Sequence, residues 1–239
     1  TDHLSIYFDE FLDLASPEAA REEYRQRMKE ANYDDMADIL YTSGTTGNSK
    51  GVILTYKMYR GAVYGNGANL PLSPNDVFLN FLPFTHIFER GFSYLGLSAG
   101  VCQAINERPA DVLKSMQQIR PTCMASVPRL WEKIYQGVQE KIAASSKVQR
   151  SLMTDALETG MRYWADYASQ QRPAPMMLKL KYKMYDRTVY KLLRKTLGLD
   201  RSNFFPTAGA AVSPEVEKFA HAVGLCMLVG YGLTESTAT

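Results

Sequence analysis

Residues 41–51, YTSGTTGNSKG, decide how the chain is read. Eleven residues hold three glycines, five serine or threonine hydroxyls and one lysine. Asp38, Ile39, Leu40 and Tyr41 make a strand-like run in front, and Val52, Ile53 and Leu54 make another behind. The spacing therefore predicts a loop between two strands. Gly44, Gly47 and Gly51 permit positive φ and let backbone N–H groups converge on an anion. Thr42, Ser43, Thr45, Thr46 and Ser49 add hydroxyl donors, and Lys50 adds a full charge. A polyphosphate suits such a loop, although a glycine-rich hairpin turn is the plainer reading of GTTG alone. The P-loop spacing GxxxxGK[ST] is absent, because Lys50 is followed by Gly51 and no helical pattern starts there.

Working outward, residues 17–31 open with proline and carry early acids and later bases, which favours an exposed helix. Residues 55–69 are expected to be helical. Residues 77–84 read as a strand, 85–100 as a helix carrying Phe88, Phe92, Leu95 and Leu97, and 101–105 as a short buried strand. A helix bounded by Pro109 and Pro121, with Val112, Met116 and Ile119 on one face, leads to a strand at 122–127. After a long helical stretch, strands are expected again at 203–208 and 225–232, separated by a helix that Ser213 caps and Pro214 opens. This alternation predicts an α/β fold, a largely parallel sheet layered with helices on both faces. Ligands belong at the carboxyl ends of its strands.

Three apolar stripes mark the helical stretch: Leu130, Ile134 and Val138; then Met153, Leu157, Met161, Trp164 and Ala168; then Leu178, Tyr182, Tyr185, Val189 and Leu193. The third is flanked by Lys179, Lys181, Lys183, Arg187, Lys191, Arg194 and Lys195. Such stripes ordinarily face a core and such lysines face solvent. The alternative is a basic amphipathic helix lying on anionic lipid. Charge is unevenly spread under a net +2, with eleven acids against four bases in residues 1–40 and nine bases against two acids in 172–201. Cys102, Cys123 and Cys226 are too few and too scattered for a disulfide framework or a zinc site. No signal-like leader and no run of about 18 apolar residues occurs. These features predict a cytoplasmic protein that binds no nucleic acid, with peripheral attachment at the inner membrane surface as the lipid alternative.

The loop resembles the signature of the AMP-forming adenylating enzymes, the superfamily of acyl-CoA synthetases, peptide-synthetase adenylation domains and luciferase. Two further strings match that family in order. TAGAAVSPE (207–215) is similar to its adenine-side segment, which assigns the purine to the backbone at Gly209, Ala210 and Ala211. YGLTE (231–235) is similar to its next signature, with Tyr231 stacking on adenine, Gly232 in the turn, Thr234 on phosphate and Glu235 holding Mg²⁺. LPFTHIFERG (82–91) and SVPRLWEKIY (126–135), with Arg90 and Arg129, resemble the long-chain fatty acyl-CoA synthetase branch, as does a helical insert at 134–200. His86 takes the position beside the acyl site.

The resemblance implies catalytic roles for Lys50, Thr234 and Glu235. Nucleotide binding is implied for Thr42, Ser43, Gly44, Thr45, Thr46, Gly47, Lys50, Gly209, Ala210, Ala211, Tyr231, Gly232 and Thr234. ATP, Mg²⁺ and coenzyme A are the expected cofactors, with fatty acid as the substrate partner. Residues 1–239 then correspond to an incomplete large N-terminal domain with a lead-in at 1–36 and without the small C-terminal domain. By itself such a piece is expected to form no acyl-CoA. An adenylating enzyme for an aryl or amino acid, or a non-catalytic nucleotide-binding scaffold, are the alternatives that the loop and YGLTE also allow.

Overall fold

A computed structural model describes residues 6–14, 16–43 and 48–238. Two exposed helices lead in, α1 (Phe8–Leu12) and α2 (Pro17–Glu30). Ser16 starts α2 by accepting a hydrogen bond from the Ala19 N–H, and Pro17 sits where its missing N–H costs nothing. The signature stretch is flanked by strands as expected. β1 (Met36–Ser43) pairs antiparallel with β2 (Ser49–Thr55), putting Thr42 opposite Lys50 and Tyr41 opposite Gly51. Period-two alternation orients this hairpin. Leu40, Val52 and Leu54 turn inward onto Tyr59 and Ile87, whereas Ile39, Tyr41 and Ile53 point outward. Thr55 then caps α3 (Tyr56–Gly67).

The parallel sheet is a separate layer. β3 (Val77–Asn80) runs beside β4 (Cys102–Ile105), and residues 122–126 lie along the other side of β3. Their far side meets β5 (Phe205–Thr207), which pairs in parallel with β6 (Met227–Val229). The resulting order is β4, β3, 122–126, β5, β6. Successive residues feed opposite faces. Phe78, Cys123 and Phe204 join Phe92, Leu95 and Val101 on one side. Leu79, Met124, Phe205 and Met227 join Met116, Trp131, Ile134 and Phe219 on the other. Each fully buried large side chain contributes roughly 1.5–3 kcal/mol over leaving it in water. The helices cover both faces as the alternation requires: α4 (Ile87–Ser98) packs on one, and α5 (Val112–Ile119) and α6 (Pro128–Ala143) on the other.

Several boundaries differ from expectation. The strand read over 77–84 ends at Asn80, because Phe81 and Leu82 leave the ladder as the chain turns through Pro83 into α4. The strand at 101–105 is not buried along its length. Among the described residues it pairs only with β3, and Cys102 and Ile105 are exposed. Residues 122–127 bridge their neighbours only at Cys123 and Ser126, and the last two strands shrink to three residues each. Leu97 and Ile119 lie on the expected helices but are exposed.

The helical stretch continues with α7 (Lys147–Asp166), α8 (Met176–Tyr185), a π-helical turn at Asp186–Tyr190 and α9 (Lys191–Leu197). The first stripe is buried, and the second is partly buried apart from Ala168, which is exposed beyond the end of α7. In the third, Tyr185 is buried, Tyr182, Val189 and Leu193 pack on the same core, and Leu178 is half-buried outside it; Tyr190, beside the stripe, is buried as well. That stripe faces the protein, as the commoner reading of such stripes holds. α10 (Pro214–Ala222) opens on Pro214 as expected; Ser213 holds the N-cap position, but its side chain makes no cap hydrogen bond, and the helix packs against α6 and α7.

Candidate functional site

The segments singled out in the sequence leave the sheet at its carboxyl edge. β3 runs into 82–91, β5 into 207–211 and β6 into 230–235. Parallel strands aligned in one sense bring their following loops to one rim, where open α/β sheets bind ligands. The hairpin meets that rim through its second strand, since the 3₁₀ turn at Thr234–Ser236 packs against β2.

On the hairpin, Lys50 is exposed and stands across the ladder from half-buried Thr42. Ser43 pairs with Ser49 at the ladder's end. Gly44, Thr45, Thr46 and Gly47 lie outside the described residues.

In the segment after β5, Gly209 has φ of +92° and an open space where a Cβ would project. A side chain there would strain the backbone. Ala210 and Ala211 follow it, both exposed. Beneath them Thr207 is fully buried, and its Oγ1 lies 2.8 Å from Ser126 Oγ. The Trp131 indole N–H donates to both hydroxyls, at 2.8 Å to Ser126 and 3.0 Å to Thr207. The two strands carrying Ser126 and Thr207 are thereby pinned to the start of α6.

Tyr231 is 86% exposed, a ring free to stack. Gly230 N–H donates to Thr207 O at 2.9 Å and ties the segment to the strand below. At Gly232 a Cβ would meet the Ala238 backbone at 2.5 Å, so only glycine lets the chain fold back here. Thr234 is half-buried and Glu235 exposed on the turn. Among the described residues no cluster of three or more His, Cys, Asp or Glu side chains could by itself hold a metal. One carboxylate still fits Mg²⁺, which takes one or two protein ligands and fills its octahedron with phosphate oxygens and water.

His86 is exposed at the start of α4, where its backbone carbonyl accepts from Arg90 N–H at 3.2 Å and its side chain makes no cap. Arg90 fixes this helix against the hairpin by an ion pair to Asp38 of β1, and its Nε donates to Phe84 O at 2.8 Å. Tyr59 of α3 donates to the other Asp38 oxygen at 2.8 Å. Burial first, then this hydrogen bond to a carboxylate, raises the Tyr59 pKa well above a free phenol's. Arg129 is exposed one residue into α6.

Sequence reasoning passed over Glu89, Asp38, Tyr59 and the trio Ser126, Trp131 and Thr207. Glu89 carried a signal. It stands three residues before Phe92, on the inward face of α4. It is fully buried, neither oxygen has a hydrogen-bond partner among the described residues, and burial pushes its carboxyl up to about 8. The nearby Asn80 side chain and Leu82 backbone pull weakly the other way.

A family model described as AMP-binding enzyme matches residues 1–239. Among curated proteins, long chain acyl-CoA synthetase 7, peroxisomal, of Arabidopsis thaliana is 32% identical over 208 residues, which cover 85% of this chain and 28% of that protein. Long-chain-fatty-acid–CoA ligase 1 of Schizosaccharomyces pombe is 30% identical over 213 residues, covering 86% and 30%. The chain thus spans less than a third of the length of these relatives. The solved adenylation domain of a carboxylate reductase from Mycobacterium chelonae superposes with a TM-score of 0.58 at 21% identity, over 85% of this chain and 27% of that one. The N-terminal domain of FACL13 from Mycobacterium tuberculosis gives 0.52 at 19%, over 91% and 44%. At such identities these structures speak to fold alone, and they agree with the layered α/β arrangement.

Proposed function

The chain belongs to the AMP-binding enzyme family, and on that premise we propose that the full-length protein activates a long-chain fatty acid with ATP and passes the acyl group to coenzyme A. The observation that supports this most is the convergence of the 82–91, 207–211 and 230–235 segments on one rim of the parallel sheet, with the Thr234–Ser236 turn against the strand that carries Lys50. Similarity to long-chain acyl-CoA synthetases supports the choice of acid.

In the first step a carboxylate oxygen attacks the α-phosphorus, forming acyl-adenylate as pyrophosphate leaves. The sulfur of coenzyme A then attacks the acyl carbonyl, and AMP departs. The first step needs no general base, since a carboxylate of pKa about 4–5 is already ionised at pH 7. The residues' task is electrostatic. Lys50 and the hydroxyls of Thr42, Ser43, Thr45, Thr46 and Thr234 neutralise and orient phosphate oxygens, with the backbone of Gly44 and Gly47 donating beside them. Gly209, Ala210 and Ala211 leave backbone against the purine, Tyr231 stacks on it, and Gly232 shapes the turn. Glu235 would hold Mg²⁺, whose charge lowers the cost of gathering anions in one place. His86 stands on the acyl side. Peripheral contact with membrane lipid, from a cytoplasmic location, belongs to the same reading because long-chain acids partition into bilayers.

Pyrophosphate exchange by the full-length protein tests this. Palmitate should support exchange and acetate or benzoate should not, since each buried methylene adds about 0.8 kcal/mol. Glu235→Gln should lower exchange by about two orders of magnitude, with the melting temperature unchanged. Benzoate or an amino acid outpacing palmitate would replace the fatty acid with that substrate. ATP binding without exchange on any acid would leave a nucleotide-binding scaffold.

A further inference from the structure

α8 carries two apolar faces. At about 100° per residue, Leu178, Tyr182 and Tyr185 fall on one side; Tyr185 is buried, Tyr182 packs on the core, and Leu178 is half-buried. Met176, Met177, Leu180 and Met184 fall on the other, within an arc of about 100°, and are 78%, 78%, 56% and 51% exposed. Lys179 and Lys183 border the outer arc on one side and Lys181 on the other. Lys181 is held by Asp155 of α7 at 2.7 Å. Lys179, Lys183, Arg187 and Lys191 are exposed and have no ion-pair partner among the described residues. The helix itself contains no acid, and Asp186 just beyond it is engaged by Arg194 at 2.8 Å.

We infer that this outer face of α8 docks on an anionic lipid bilayer, its methionines and leucine entering the headgroup boundary while the free lysines face lipid phosphates. A helix lying in the interface needs this pairing of an apolar arc with basic borders. Unbranched thioethers adapt to an irregular apolar boundary. A second copy of the chain is the poorer occupant. A two-fold contact between these faces would bring together two patches of the same positive charge, whereas an anionic surface turns the same charges into attraction. No described helix is long and apolar enough to cross a membrane, so the contact is superficial. The inference rests on the fatty-acid reading only for the cargo such a surface would supply.

Flotation of the chain with vesicles of phosphatidylcholine containing phosphatidylglycerol, against phosphatidylcholine alone, tests it. Binding should need the anionic lipid and fade with salt. Leu180→Glu combined with Met184→Glu should abolish it, and each of Lys179→Glu and Lys183→Glu should weaken it at least fivefold. Circular dichroism should show all variants folded, since every altered side chain is exposed. Absence of binding to the anionic vesicles, equal binding to both compositions, or binding untouched by these substitutions would overturn the inference. So would self-association in sedimentation that Leu180→Glu removes without any effect on vesicles. An ATP-dependent rise in melting temperature, measured on the same variants, reads the nucleotide site separately. Its loss counts against the adenylating reading and leaves the docking face standing.

Discussion

Two buried polar clusters sit on opposite faces of the parallel sheet, and their atoms meet different fates. Ser126, Trp131 and Thr207 satisfy one another, and Ser126 Oγ also lies 3.1 Å from Pro206 O. Asn80 and Ser93 join at 2.6 Å on the other face and Ser93 Oγ donates to Glu89 O at 2.8 Å. Asn80 Oδ1 and both Glu89 carboxyl oxygens have no partner among the described residues. A closed network in a low-dielectric interior rigidifies what it joins, whereas an open one shows up as a proton held out of its normal range. The closed cluster joins the strand that runs into the Gly209 segment to the start of α6. The open one lies under α4, which carries His86.

Removing the centre of the closed cluster has the largest expected effect. Trp131→Ala deletes a fully buried indole and its N–H, and should cost about 3–5 kcal/mol in stability. Urea unfolding followed by circular dichroism measures it. A loss under about 1 kcal/mol would mean that the strands at Ser126 and Thr207 are held together without the indole.

The different legibility of the two clusters has a physical cause. The largely parallel sheet was readable because apolar runs of strand length alternate with helical patterns, and the candidate strings stood out because their residues occupy consecutive positions. Ser126, Trp131 and Thr207 are separated by up to 81 positions. Nothing in local spacing says that the tryptophan at 131 will find two hydroxyls from neighbouring strands. Strand ends were misplaced for a related reason, because hydrophobicity continues through Phe81 and Leu82 after the ladder stops at Asn80. The outer face of α8 was hidden by its neighbour. The inward stripe dominates the periodicity, so the second arc emerges only once the first is seen packed.

The open cluster gives the next effect, and it depends on pH. With a folded pKa of about 8 against an ordinary value near 4.5, Glu89 is protonated in both states in acid and costs nothing there. As pH rises through this window the unfolded chain releases its proton while the folded chain keeps it. Stability therefore falls by up to about 1.4 kcal/mol per pH unit, and the fall stops above the folded pKa. Glu89→Gln removes the titration. Denaturation midpoints of the two proteins should converge in acid and separate toward pH 8, with the variant the more stable. Parallel profiles would show that Glu89 ionises normally.

The smallest effect sharpens the comparison from within the closed cluster. Thr207→Val keeps the shape of a fully buried side chain and removes its hydroxyl. Trp131 N–H still has Ser126 Oγ at 2.8 Å, and Ser126 Oγ still reaches Pro206 O, so no donor is stranded. The Thr207 backbone carbonyl also keeps the Gly230 N–H at 2.9 Å, which holds the Tyr231 segment in place. The expected loss is that of one ordinary hydrogen bond, about 1 kcal/mol, since the valine methyl fills the vacated space. Ser126→Ala should cost more, because it takes away the shorter of the two acceptors that hold the indole. In the double variant Trp131 N–H is left buried with neither acceptor, so the combined loss should exceed the sum of the two by about 0.5–1 kcal/mol. Denaturation of the four proteins measures that excess. Simple additivity would mean that the two hydroxyls act on Trp131 independently, and that the closed cluster is no more cooperative than the open one across the sheet.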